Sequence, residues 1–437
     1  MIKQAFVFFL KATCLCVPLL VMAQARAAVH EAPDALNLKL IGHTDINGAG
    51  KGGEGLALKQ SGNKTILFLA HESGPQCFSV IDVTNPAKPV VLKQVQVEAE
   101  FIRCNALGLS GDVLVVARQS LTVGQPHGGI KTYDVSDAAD PQLLSYMDLT
   151  GPYSRGTHYL TFTDGRYAYL ATGAKDFQPK NPLDDQMLMV VDMQNPRLPK
   201  EVGRWWLPGT RIGDEAAAPA RVRPFDSGFR LHTLLVPAER PDRAYVGWID
   251  GGVIVLDISD KTNPKEVSRI SWQSLNQGFI HTALPILDRG LLIASQESTK
   301  DECADWPMRV SVVDIKNEAR PFPVSTLPMP ENFEALCKAG GRFGAHNINQ
   351  NNMPEVSQVL QNTVVTAQFG GGLRIYSIEN PHAPKEIAYF APKVSGNKGS
   401  AIQMNDLIVG KNGLIYANDR FTGGLYILQY TGKTPLN

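Results

Sequence analysis

Apolar residues along the chain fall into short runs, and nearly every run is closed by Gly, Pro, Asp or Asn. One stretch shows the pattern plainly: "HTLLVP" from His232, "RAYVGWI" from Arg243, "GVIVLDI" from Gly252 and "KEVSRIS" from Lys265. Short β-branched and aromatic runs separated by turn residues predict strands joined by hairpins. No stretch carries a long amphipathic helical pattern. The third run of each set ends in a recurring phrase: "VIDVTNPAKP" at Asp82, "TYDVSDAADP" at Asp134, "VVDMQNPRLP" at Asp192, "VLDISDKTNP" at Asp257, "VVDIKNEARP" at Asp314 and "IYSIENPHAP" at Ser377. A weaker seventh copy, "LYILQY", places Gln429 at the Asp position. Successive copies lie 52 to 65 residues apart. Four strands repeated seven times predict an all-β fold, a seven-bladed β-propeller.

The last unit ends without room for a good fourth strand. "LNLKLIGHT" (36–44) resembles the outer strands "PKEVGRW" and "PKEVSRI". It is expected to complete the last blade and so remove an open sheet edge. The "L-x-V-x-D-V-S-x-P" phrases resemble those of the LVIVD-repeat proteins, exported bacterial β-propellers. The resemblance covers nearly the whole chain after its first residues. It implies the repeat architecture and no single activity.

Composition adds little beyond this. The chain has 437 residues, with 42 basic and 42 acidic side chains. A neutral balance leaves no electrostatic footprint for nucleic acid. At the N-terminus, Lys3 and Lys11 accompany the apolar stretch "ATCLCVPLLVMA", followed by the small-x-small signals "AQA" and "ARA". Residues 1–28 read as a cleaved signal peptide, with an uncleaved anchor as the alternative. The mature part, 29–437, is expected to be one propeller domain without a membrane span, periplasmic or secreted. An exported chain with four remaining cysteines suggests disulfides. Their matched placement before strands of adjoining blades pairs Cys77 with Cys104 and Cys303 with Cys337. Free thiols or another pairing remain open.

The candidate chemistry lies at the first position of each inner strand. Aligned by blade, these positions are Glu54, Asn105, His158, His232, His281, His346 and Asn405. Inner strands of a propeller surround its axis, so these side chains form a ring. Only nine histidines exist in the chain, so four at one register on consecutive blades is far from chance. Imidazole is the commonest ligand of first-row transition metals. Four histidines along one arc predict a metal site with an open side, suited to iron, copper or manganese rather than zinc. Glu54 is placed as catalytic base or fifth ligand. The arrangement is similar in position to the four axial histidines of carotenoid-cleavage oxygenases and to copper-dependent methanethiol oxidases, with no sequence motif of either. A polar pocket without metal and a structural ring are the alternatives.

Ends of the second strands open to the same face and offer further pocket candidates. These are His71 and Glu72 in "LAHES", Arg118 in "VARQS", Asp250 in "GWIDGG", Glu297 in "ASQES", and Asp419 and Arg420 in "ANDRF". Glycine runs at 370–372 and 423–424 read as tight hairpins rather than phosphate cradles. The functional expectation is a metal-dependent oxidoreductase or lyase acting on a small organic substrate. The alternative is a noncatalytic scaffold, or a metal-binding accessory protein with a protein partner.

Overall fold

A computed structural model describes residues 34–222, 226–272, 278–305, 308–350, 356–392 and 401–437. The leader expected at 1–28 lies outside the described residues. Seven antiparallel sheets follow one another around an axis, forming the seven-bladed propeller. Blade one shows the unit: Gly52–Ser61, Lys64–His71, Gln76–Asp82 and Val90–Gln96, from the axis outward. The inner strands of later blades include Leu107–Ser110, Thr157–Thr161, Thr233–Leu235, Ile280–Ile286 and Met404–Val409.

Burial explains the two sequence textures. Middle strands are covered on both faces by neighbouring blades, so they read as unbroken apolar runs, as in "MLMVVD" (Met187–Asp192). Outer strands keep one face in water and alternate, as in "KEVGRW" (Lys200–Trp205). Between blades three and four, Leu188, Val190, Ile254 and Leu256 pack with Trp205 and Trp248 in one cluster.

The recurring phrase is a pair of Asx turns. Asp82 accepts from the Thr84 N–H at 2.9 Å and Asn85 from the Ala87 N–H at 3.2 Å. The same pairs recur at Asp134/Asp137, Asp192/Asn195, Asp257/Asp260 and Asp314/Asn317. Such side chains give the backbone a ready-made reversal. These turns join third to fourth strands, so they lie on the face opposite the start of the inner strands.

The closing strand is Leu38–Thr44, paired with Leu425–Tyr430 of blade seven, as expected. Three details were not foreseen. Asp34–Leu36 adds an outermost strand to blade six, beside Tyr389–Ala391. The inner segment of blade six forms no regular strand among the described residues and is held by isolated bridges, Phe343 to Phe369 and Ile348 to Thr366, and by single backbone bonds. A short helix, Phe333–Lys338, interrupts the connection between blades five and six. Cys77–Cys104 and Cys303–Cys337 are both bonded, each tying neighbouring blades. Among the described residues, no helix is long and apolar enough to cross a membrane.

Candidate metal centre

The inner strands lose register at the same place. Pairing with the second strand shifts between Gly52 and Leu56, Thr157 and Tyr159, Ile280 and Thr282, and Met404 and Asp406. The residues inside these shifts include Glu54, His158, His281 and Asn405. Blade six does the same through Ala367, which accepts from the His346 N–H at 2.9 Å and donates to the Asn347 carbonyl at 2.8 Å. In blade four the His232 N–H donates to the carbonyl of Gly247, the partner of Thr233. A bulge sets two residues against one and re-aims a side chain. Here it turns one residue per blade out of the inter-blade core and toward the axis.

The four imidazoles meet as a chain of neighbours. Ring centroids lie 4.4 Å apart for His158–His232, 4.1 Å for His232–His281 and 4.4 Å for His281–His346. The Nε2 atoms of His158 and His232 are 3.0 Å apart. Glu54 places Oε2 3.4 Å from His281 Nε2 and Oε1 3.7 Å from His346 Nε2. Glu297 lies 3.6 Å from His232 Nε2 and 3.8 Å from His346 Nε2. Three overlapping triads bring their donor atoms within 4.8 Å of one another: Glu54–His158–His232, Glu54–His281–His346 and His232–His281–Glu297. Donors about 2.1 Å from a shared ion sit about 3.0–3.4 Å apart at right-angled or tetrahedral positions. The His158–His232 and His281–Glu54 pairs fall in that range, the other imidazole–carboxylate contacts are wider, and each triad contains a carboxylate as well as imidazoles.

Outer hydrogen bonds set the tautomers of His346 and His158, whereas His232 Nδ1 has no such bond among the described residues. His346 Nδ1 donates to the Asn405 carbonyl at 2.7 Å, which leaves the Nε2 lone pair of the neutral ring facing the cluster. His158 Nδ1 meets Gln119 Oε1 at 2.9 Å, and His281 Nδ1 meets Thr282 Oγ1 at 2.7 Å. Nε2 of His281, Nε2 of His346 and Oε2 of Glu54 are buried without a hydrogen-bond partner among the described residues. The 3.4 Å and 3.7 Å gaps to Glu54 exceed the roughly 2.7–2.9 Å of a charge-assisted hydrogen bond. Burial holds His158 and His232 well below the usual imidazole range and lowers His281 too. For His346, burial acts downward, but Glu54 and Glu297 outweigh it and the net shift is upward. Burial would raise Glu54, yet contact with His281 and His346 takes it well below the ordinary carboxylate range.

The other predicted residues divide. Glu297 joins the cluster. Asn105 and Asn405 are buried at ring positions, and the Asn105 carbonyl accepts from the Glu54 N–H at 2.6 Å. Glu72 sits at the rim, held by Arg103 and by Arg420 Nη2 at 2.6 Å. Asp250 and Asp419 brace loops instead. Asp250 accepts from the Ser227 and Gly228 N–H groups, and Asp419 from those of Gln403, Phe421 and Gly423. His71 is fixed by the Gly50 carbonyl and Ser79 Oγ, each at 2.8 Å. Burial brings its pKa down to about 4.

Arg118 turns away from the mouth. It binds Glu98 and the His127 carbonyl beside the Cys77–Cys104 bridge. Its neighbour Gln119 faces the cluster, because successive strand residues alternate faces. Aligning the second-strand ends "HES", "RQS" and "QES" sets Gln119 level with Glu72 and Glu297, a signal the sequence carried.

Two aromatic rings flank the cluster. Phe369 stacks on His346 at 4.5 Å, and Phe279 meets His232 edge-on at 5.8 Å. Both hold positive φ, 43° and 51°. A bulky residue rarely adopts that conformation.

Comparison with known proteins supports the fold. The LVIVD repeat model matches residues 242–271. No curated protein matches the chain. Streptogramin B lyase is similar in structure, with a TM-score of 0.53 at 11% identity over 92% of this chain and 97% of that one. The β-propeller domain of Cps50 (Swd1) from Myceliophteria thermophila gives 0.52 at 11% identity over 91% and 99%. A protein from Lactobacillus plantarum gives 0.52 at 14% identity over 85% and 96%. The segment that the LVIVD repeat model matches lies in blade four of a seven-bladed β-propeller.

Proposed function

We propose that His158, His232, His281 and His346, with Glu54 and Glu297, hold a transition-metal ion on the propeller axis, and that the protein is an exported metal-dependent oxidoreductase or lyase acting on a small organic molecule. The observation that carries this reading is the trio of buried atoms without a partner among the described residues: Nε2 of His281, Nε2 of His346 and Oε2 of Glu54. Leaving such groups without a partner costs about 1–3 kcal/mol each. A cation between them would satisfy all three. The neutral state favoured for His158, His232 and His281 is the ligating form of imidazole. The bound ion would supply Lewis-acid or redox chemistry. The chain's own part is to fix ring tautomers through Gln119 and the Asn405 carbonyl, to orient His281 through Thr282, and to place Glu54 as base or ligand. The two disulfides suit an oxidising compartment such as the periplasm.

The test is metal per chain by elemental analysis of protein purified from an exported compartment. Wild type and His382→Ala, changed in an exposed turn, should carry equal metal. His281→Ala should lose most of it while keeping its fold. Equal occupancy in all three would overturn the metal reading. Oxygen uptake or turnover by the loaded protein then separates an enzyme from a metal-binding accessory protein.

A further inference from the structure

Five arginines surround the histidine–glutamate cluster, four from connections between blades and one from a hairpin of blade seven. Arg103, Arg155, Arg230 and Arg342 lie just ahead of ring positions, and Arg420 follows the second strand of blade seven. All five are largely covered, with side-chain exposures from 15% to 25%. Three carboxylates answer them. Glu72 takes Arg103 and Arg420, Asp185 takes Arg155 and, at 3.7 Å, Arg230, and Glu297 takes Arg342 at 2.9 Å. Glu297 also acts on Arg230 and Arg420, with Asp250 near Arg230 and Glu54 near Arg420, so the charge of the collar is close to balanced.

The collar touches the cluster. Arg103 Nη2 lies 3.3 Å from His158 Nδ1. Glu297, held by Arg342, lies 3.8 Å from His346 Nε2. The charges of Arg103, Arg230 and Arg155 are felt at His158, and that of Arg420 at His346. Several donors in the same wall have no acceptor among the described residues: Arg230 Nε, Arg420 Nη1 and Gln119 Nε2. Gln119 is 0% exposed, so water does not serve it from bulk. Guanidinium forks and orphaned N–H donors in one wall suit a ligand rich in acceptors, which an oxyanion is.

We infer that the molecule acted on is a small organic oxyanion, a carboxylate or phosphate ester, whose charged group is gripped by this collar while its remainder reaches the histidine cluster. The inference rests on the metal reading for the reacting centre, but the anion grip needs no metal. It predicts that binding weakens with ionic strength, because the contacts are ionic.

The experiment is calorimetric titration of the full chain, metal-loaded and metal-free, with inorganic phosphate and with succinate as separate probes. At least one probe should bind the wild type saturably, and which one binds distinguishes phosphate from carboxylate recognition. Arg230→Gln and Arg420→Gln should each weaken that binding tenfold or more without changing metal content. Arg240→Gln, in the hairpin between the first and second strands of blade four, should leave it unchanged. Arg420→Lys keeps the charge without the planar fork, and should fall between wild type and Arg420→Gln. It serves as the measure if either glutamine variant fails to fold. The inference is overturned if neither probe binds, or if binding is indifferent to the arginines. It is also overturned if binding occurs only in metal-loaded protein, which would make the anion a ligand of the ion alone. A chain that never takes up metal defeats the preceding reading, while titration of that same metal-free chain still decides this one.

Discussion

Asp406 sits one residue beyond the ring position Asn405 and lines, with Glu54, Tyr159 and Gln350, a cavity of about 30 Å³ below the cluster. Burial and the nearby Glu54 charge raise its pKa to about 7. In the unfolded chain it would titrate near about 3.9. The folded state therefore holds the proton more tightly, and stability falls as pH rises from about 4 to about 7, then stays reduced. Asp406→Asn removes that penalty. The variant should unfold at a higher temperature than wild type at pH 8, by a margin on the order of 4 kcal/mol at most. The gain should vanish below pH 4. Melting curves at both pH values check it, and equal shifts at both would refute the assignment. Single positions are most legible in the sequence where the residue type is itself rare. Four histidines at one register and the carboxylates Glu54 and Glu297 are legible. Charge draws attention to Arg118, one residue off, where the strand's alternation points to Gln119 instead. The arginine collar was mostly missed, because Arg103, Arg155, Arg230 and Arg342 lie in connections where no strand period fixes their direction.

Among the elements, the hairpins and the double Asx turn were readable, since both need particular residues. Gly252, Gly372 and Gly424 occupy the same hairpin place in three blades with φ of 88°, 73° and 74°. A Cβ at Gly372 would lie 2.2 Å from the Phe390 carbonyl oxygen, so no other residue fits. The bulges that aim the ring residues left no such mark. A bulge changes register by one, and the apolar pattern on either side looks continuous. The added strand Asp34–Leu36 was also hidden, because a three-residue edge strand has too few positions to show a period. The disulfides were legible from placement, and they carry a prediction at this scale. Each closes a segment of 27 or 34 residues between adjoining blades. Cross-links of that span stabilise by about 3–4 kcal/mol through the unfolded chain. The double variants Cys77→Ala/Cys104→Ala and Cys303→Ala/Cys337→Ala should each lower the chemical unfolding midpoint. An unchanged midpoint in either would mean that bridge adds nothing beyond the packing around it.

A propeller is a ring of sheets, and its weakest seam is where the chain's two ends must meet. Here the seam is made by one short segment. Leu38–Thr44 supplies the outer strand of blade seven, and Asp34–Leu36 lies on the outer edge of blade six. The first pairing carries the larger share. It runs from Leu38 beside Tyr430 to Thr44 beside Leu425, Leu38 is buried with Leu428, and His43 packs on Tyr426 at 4.6 Å while meeting the Gly423 carbonyl. The second adds three residue pairs on an edge already finished by Lys385–Ala391. A chain beginning at Asn37 should therefore remain a closed, soluble propeller with a melting temperature near that of the chain beginning at Asp34. A chain beginning at Asp45 exposes the edge of Leu425–Tyr430 and leaves blade seven with three strands. An open edge of that kind invites pairing between copies. It should accumulate as aggregate or as soluble oligomer, and lose the single cooperative transition. The metal site should fail with it, since Glu54 in blade one is separated from Asn405 in blade seven only by this seam, and Asn405 Nδ2 bonds the Gly52 carbonyl across it at 2.8 Å. Size-exclusion chromatography with light scattering, a thermal melt and metal content on the two truncations decide the matter. A chain beginning at Asp45 that stays monomeric and melts like the longer one would show that the ring is held shut by the contacts between blades one and seven at the axis, and not by the strand on the rim.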